Sequence, residues 1–236
     1  MSLRKSNSEH SEFSQDPTNQ YESYMSTVRF PKGAWVVRPS MRMPLPDMST
    51  LSLAQRAVVR YSQHKAKSDS PLNVFTVLAR LGDIFVPYAL FMSRLLMKGR
   101  LSRTDKELVV LHVAWRLGCV YEWVHHSHLA AELGITEEQI QSMGQAGSPL
   151  WDNRVTSLLA AADELLDKRQ LSDTTWKNLR ALLNENQIVE FCFLVGHYQM
   201  VAMTINTMGI APEPEFMGKT KLPQGQGDVP ELAEVR

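Results

Sequence analysis

Residues 104–134 read TDKELVVLHVAWRLGCVYEWVHHSHLAAELG, and this stretch decides the fold. Thr104-Asp105-Lys106-Glu107 has the form of a capping box, in which a hydroxyl and a carboxylate satisfy each other's free backbone N–H groups. It opens an apolar run from Leu108 to Leu117. Gly118 interrupts the run, and Val120 to Leu133 resumes it until Gly134 supplies a stop. The segment predicts two successive helices.

Helical signals continue outward in both directions. Leu53, Ala54, Ala57, Val58 and Tyr61 recur at spacings of 3 and 4. Ser70-Pro71 puts a capping residue before a proline at the first helical position, and Pro87 predicts a break or kink before Tyr88 to Met97. Downstream, Thr136 to Gln139 forms a second capping box. Asn153 to Lys168 carries Val155, Leu158, Leu159, Ala162, Leu165 and Leu166 on one face. Asp173 to Leu183 is shorter, and Asn186 to Met208 is long, apolar nearly all round and closed by Gly209. Such a helix needs cover on most sides, from the domain's own core or from a partner subunit. Strand alternation is nearly absent. The expectation is a single all-α domain over residues 48–210. Residues 1–30 read as a flexible tail, 31–47 as a Pro-rich extended arm and 211–236 as an irregular C-terminal tail. An exposed Trp35 on that arm points to homo-oligomerisation.

Composition narrows the function classes. The 236 residues hold 25 basic and 25 acidic side chains, so no overall charge draws the chain to nucleic acid or anionic lipid. Two cysteines, Cys119 and Cys192, exclude a disulfide scaffold. The first twenty residues lack the apolar core of a secretory signal, and no uninterrupted apolar stretch reaches the roughly 18 residues of a membrane span. These readings predict a cytoplasmic protein without nucleic-acid or membrane partners.

Reactive groups concentrate in Cys119-Val120-Tyr121-Glu122-Trp123-Val124-His125-His126-Ser127-His128. On a helix Cys119, Glu122 and His126 share one face, and Glu122 and His126 stand four residues apart, within hydrogen-bonding reach. A carboxylate beside an imidazole orients it and raises its basicity, which suits proton transfer. Cys119 lies near the helix start, where free N–H groups favour a thiolate. Plainer readings stand beside these: a solvated Glu–His face, an inert buried cysteine and a Glu107 that merely completes the capping box. His112 reads as a core histidine, and His197 and Tyr198 as interhelical hydrogen-bonding groups. Glu122-x-x-His125 matches half of a di-iron signature, but no second copy occurs in the core, so no metal is expected. Phosphate-binding glycine loops, paired zinc cysteines and Gly-x-Ser-x-Gly elbows are absent.

The pattern Glu107-(x)11-Cys119-(x)2-Glu122-(x)3-His126, followed by Gly134-Ile135-Thr136-Glu137-Glu138-Gln139-Ile140, resembles the carboxymuconolactone decarboxylase family, which includes the alkylhydroperoxidase D (AhpD) proteins. Gly99-Arg100-Leu101-Ser102 and Gly196-His197-Tyr198 add to the likeness, which spans roughly residues 72–210. The resemblance implies an AhpD-like helical bundle, no cofactor, a small-molecule substrate, and trimers or hexamers with active sites near subunit interfaces. In the peroxidase branch a Cys-x-x-Cys pair does the redox work. Here Glu122 occupies the second cysteine's place, and Cys192 is 73 residues from Cys119. One thiol cannot close and reopen an internal disulfide.

The decarboxylase branch keeps a glutamate four residues before a histidine, as Glu122 and His126 stand. The resemblance therefore implies a lyase-like enzyme acting on a small lactone, carbonyl or carboxylate compound. His126 would be the general acid/base, Glu122 its tuning partner, Glu107 a second proton relay and Cys119 an auxiliary donor. Tyr121, Trp123 and His125 would line the substrate pocket. Two alternatives are a single-cysteine thiol peroxidase centred on Cys119 and a non-catalytic oligomeric binding protein of the same fold.

Overall fold

The computed structural model describes residues 33–36, 38, 40–145 and 147–217. The expected tail over 1–30, parts of the arm (Pro31, Val37, Pro39) and residues 218–236 lie outside them. After a 3-10 turn at Met48–Thr50, Ser52 and Gln55 form a capping box that starts α1, Leu53–Ala66. α2 is Asn73–Leu78, followed by a 3-10 turn at Ala79–Ile84 and α3, Phe85–Met97. Then come α4, Arg103–Arg116; α5, Val120–Glu132; and α6, Glu137–Gln141. α7 is Asn153–Lys168, α8 Asp173–Leu182, α9 Glu185–Met208 and α10 the single turn Pro214–Met217. Among the described residues there is no strand, only one isolated parallel bridge between Val36 and Cys119.

Several boundaries move from their expected places. α4 is capped by Ser102, whose hydroxyl accepts the Asp105 N–H, so Thr104 and Glu107 form no capping box. Ser70-Pro71 does not open a helix; α2 begins two residues later behind Leu72, without a side-chain cap. The break before α3 falls at Gly82, with φ 62° and ψ −125°, and not at Pro87. Pro87 sits in the first turn of α3, where its missing N–H costs nothing. The C-terminal stretch is less irregular than its prolines suggest, since α10 docks Phe216 against the core.

The central helix is α4 and not the more apolar α9. Every residue from Asp105 to Ala114 is buried, because α5, α7 and α9 all pack on α4. It divides two apolar clusters: Leu108, Leu111 and Ala114 face one, while Val109, Val110 and Val113 face the other. Lys106 is carried inside this helix by an ion pair to Glu190 at 3.0 Å and by the Leu95 and Leu96 carbonyls. α9 leaves Val189, Phe193, Met200 and Met203 exposed on one side, beside Phe91 of α3. By length and hydropathy α9 could span a membrane, contrary to the sequence expectation, because His197 and Gln199 do not lower its mean hydropathy enough; half of its apolar window is buried in the protein. Asn73–Met97 passes the same test but is broken at Gly82.

The arm lies on its own domain. Val36 N–H donates to the Gly118 carbonyl at 2.9 Å, Arg38 Nε to the Asn206 carbonyl at 3.0 Å, and Arg42 N–H to the Met208 carbonyl at 2.9 Å. Trp35, expected to be exposed, is buried edge-on against Trp123 at 5.3 Å. Gly118 makes this possible: its φ of +60° turns the chain from α4 into α5, and a Cβ there would stand 2.1 Å from the Ala34 carbonyl oxygen.

Candidate active site

The turn at Gly118 brings α5, which carries Glu122 and His126 behind Cys119, against α4, and His126 meets Glu107 there. Cys119 is the N-cap of α5 but makes no side-chain cap, its N–H going to the Ala114 carbonyl at 2.8 Å. His126 Nδ1 lies 2.6 Å from Glu107 Oε2, both groups buried. The partner that orients His126 is therefore Glu107 on the neighbouring helix and not Glu122 on its own, which corrects the i,i+4 expectation. With Nδ1–H donating to the Glu107 carboxylate, Nε2 is the nitrogen left basic.

Glu122 is 3% exposed, and neither of its oxygens makes a hydrogen bond to nitrogen or oxygen. Burial pushes its carboxyl well above the usual range, and the adjacent Cys119 thiol opposes that only in part. The same environment acts on Cys119: burial and the Glu122 charge drive the thiol upward, so the helix start does not favour a thiolate as the sequence suggested.

Two helices complete the cluster. Tyr88 of α3 stacks on His197 of α9 at 5.6 Å, and Tyr198 meets His126 edge-on at 5.0 Å. Burial raises the Tyr88 hydroxyl, and the nearby Glu122 charge adds to this. Burial, helped by His126, lowers His197 to about 4. Burial likewise raises Tyr198, with Glu107, Glu122 and Tyr88 contributing. The Tyr88 hydroxyl and His197 Nδ1 have no hydrogen-bond partner, so His197 is not the interhelical hydrogen-bonding group expected of it. Sequence reading missed Tyr88 altogether; the signal for His197 was a histidine inside an otherwise apolar helix.

The residues expected to line a pocket are engaged by the protein itself. Trp123 packs on Trp35. Tyr121 donates to Glu213 Oε1 at 2.8 Å, and His125 Nε2 meets Glu213 Oε2 at 2.7 Å. Asn73 N–H also donates to Glu213 Oε1, at 2.5 Å. Glu213, 1% exposed and unforeseen from sequence, thus ties the C-terminal segment to α5 and α2. His112 is a core histidine as expected, with Nε2 2.8 Å from Asp163. Among the described residues no group of three or more His, Cys, Asp or Glu side chains is arranged to hold a metal ion.

A family model described as "Carboxymuconolactone decarboxylase family" matches residues 87–164, an interval holding Tyr88, Glu107, Cys119, Glu122 and His126 but ending before His197. Among curated proteins none matches this chain. Among solved structures, an uncharacterised peroxidase-related protein with an alkylhydroperoxidase AhpD core, from Ralstonia eutropha JMP134, superposes with a TM-score of 0.68 at 20% identity, covering 77% of this chain and 96% of that one. An uncharacterised peroxidase-related protein from Silicibacter sp. TM1040 gives 0.62 at 18% identity, with 81% and 98% covered. The debrominase Bmp8, in its apo form, gives 0.64 at 14%, with 76% and 97% covered. At these identities the structural likeness is one of fold. The AhpD-like, all-helical architecture and the resemblance read from the sequence both stand.

Proposed function

We propose that this carboxymuconolactone decarboxylase-like, AhpD-like chain is an enzyme performing cofactor-free acid–base chemistry on a small lactone, carbonyl or carboxylate compound. One observation carries the reading. One turn apart on α5 stand an imidazole hydrogen-bonded to Glu107 and a carboxyl, Glu122, that burial pushes well above the usual range. A carboxyl whose surroundings favour its protonated form, beside an imidazole oriented by a second carboxylate, supplies a proton donor next to a proton acceptor.

In this reading Glu122 donates its proton to the substrate's carbonyl oxygen. His126 Nε2 takes a proton from the adjacent carbon, and the bond electrons move into the resulting enol. The imidazolium then returns a proton to carbon as Glu122 is reprotonated, so the cycle conserves protons. In a decarboxylation, CO2 leaves in place of the carbon-bound proton and one solvent proton is consumed. Cys119 is a neutral wall of the site. Its raised thiol supports this over the peroxidase alternative, which needs a thiolate.

Deuterium incorporation beside the carbonyl across a panel of lactones and ketones tests the reading. Glu122→Gln and Glu107→Gln should each lower exchange about 10²- to 10⁴-fold. Exchange at the wild-type rate in Glu122→Gln overturns the assignment, as does hydroperoxide turnover that Cys119→Ala abolishes.

The same reading includes homo-oligomerisation as a trimer or hexamer through the exposed face of α3 and α9. Phe91, Val189, Phe193, Met200 and Met203 make an apolar surface that water disfavours. Light scattering should report an oligomer that Phe193→Glu dissociates; a monomeric wild type would refute it.

A further inference from the structure

Four buried polar atoms from three helices, Glu122 Oε1 and Oε2, Tyr88 Oη and His197 Nδ1, make no hydrogen bond to nitrogen or oxygen, the weak Cys119 thiol being the one group that reaches Glu122. Buried polar groups are nearly always paired, so a cluster of orphans around one another marks a place where something else pairs with them. Tyr88 and His197 stack on each other, and Phe91 stands edge-on to His197 at 5.8 Å, leading from the orphans to the exposed α3/α9 face. The walls are aromatic.

The charge around these atoms is equally distinctive. The charges acting on Tyr88, His197 and Tyr198 are those of Glu107, Glu122 and His126, with no lysine or arginine among them. His126 is already matched by Glu107. Lys106, the cation buried in the same helix as Glu107, is held by Glu190 and two carbonyls. A substrate carboxylate placed here would lose its water with no free cation to compensate, since Glu107 already matches His126 and Lys106 is taken up by Glu190.

We infer that the site selects an uncharged, planar ligand with a hydroxyl or carbonyl group, which docks among Tyr88, His197 and Glu122, and rejects the corresponding carboxylate. The inference rests on the acid–base reading of Glu122 and narrows it to neutral lactone or carbonyl substrates. Tyr88 supplies a hydroxyl to the ligand's oxygen and acts as a specificity-determining residue. His197 and Phe91 supply flat apolar faces.

Calorimetric binding of two matched probes, 4-hydroxybenzamide and 4-hydroxybenzoate, tests this at neutral pH. The amide should bind at least tenfold more tightly than the carboxylate. Tyr88→Phe, which keeps the ring and whose folding is checked by its melting temperature, should weaken the amide about tenfold. Equal or tighter binding of the carboxylate, no binding of either probe, or unchanged affinity in Tyr88→Phe would each overturn the proposal. Glu122→Gln separates the two readings. It should lose exchange activity. Retained exchange in that variant sinks the acid–base reading; a lost neutral preference in the wild type sinks only the substrate class.

Discussion

Glu122 occupies the first turn of α5, where the helix dipole favours a negative carboxylate by under about 1 kcal/mol. Complete burial opposes this and wins, because losing water around a charge costs several kcal/mol. The sign of the consequence for stability follows. With a folded pKa raised above the ordinary 4.5, the native state holds a proton that the unfolded chain releases once the pH exceeds that value. Stability is therefore lost as pH rises from about 4.5 toward the folded value. Glu122→Gln, which cannot ionise, should melt higher than wild type at neutral and alkaline pH, with the gap closing near pH 4. Thermal melts across that range check it; a variant that melts lower at pH 8 contradicts the assignment of a neutral carboxyl. A stabilised but inactive variant is the pattern expected when a group is kept for chemistry at a cost to the fold.

At the scale of elements, the connections decide where the reactive residues meet. The start of α4 is set by Ser102, one residue before the helix, and this frees Glu107 to face His126. Ser102→Ala should destabilise by about 1 kcal/mol, whereas Thr104→Ala should change stability by less than about 0.5 kcal/mol. Denaturant unfolding compares the two, and the reverse order would restore the capping box. The turn at Gly118 has a parallel role. It sets α5 against α4 and lets the arm at Val36 approach the backbone. At the other end of α5, Glu213 ties Tyr121 and His125 to the segment entering α10. Residues that look reactive in the motif are thereby committed to structure.

For the whole molecule, stability carries a second pH signature of opposite sign. His197 is neutral in the fold down to about 4, while an unfolded histidine protonates near 6.5. Between those values the unfolded chain binds more protons, so stability falls as pH drops from 6.5 to about 4, by up to roughly 3 kcal/mol. Below that window the contribution is constant. Carboxylates held low against their burial by hydrogen bonds, Glu190 chiefly from the Arg100 N–H and Glu215 chiefly from the Ser68 hydroxyl, act in the same direction at lower pH. The difference between wild type and His197→Gln isolates the histidine: the variant should show a flatter loss of stability between pH 6.5 and 4, and parallel curves would place His197 in water.

The helices themselves were legible in the chain, since periodicity and caps are local. Asn153–Lys168 lies where its spacing put it, and Thr136 with Gln139 caps α6 as the motif requires. The grouping of Cys119, Glu122 and His126 on one face of α5 was legible for the same reason. What sequence could not decide was partnership. The choice of Glu107 over Glu122 for His126 depends on how α4 packs against α5, a contact between residues 19 apart. Which helix is central was also left open by the sequence: α4 is buried because three helices pack on it, and its charged Lys106 and Glu107 are matched by partners on other helices. Tyr88 and His197 join the site from helices that only the tertiary fold brings together. Sequence determines the helical register, because the backbone reads its neighbours a few residues away. Only the packed structure decides protonation, because burial and charge depend on what the rest of the chain places alongside.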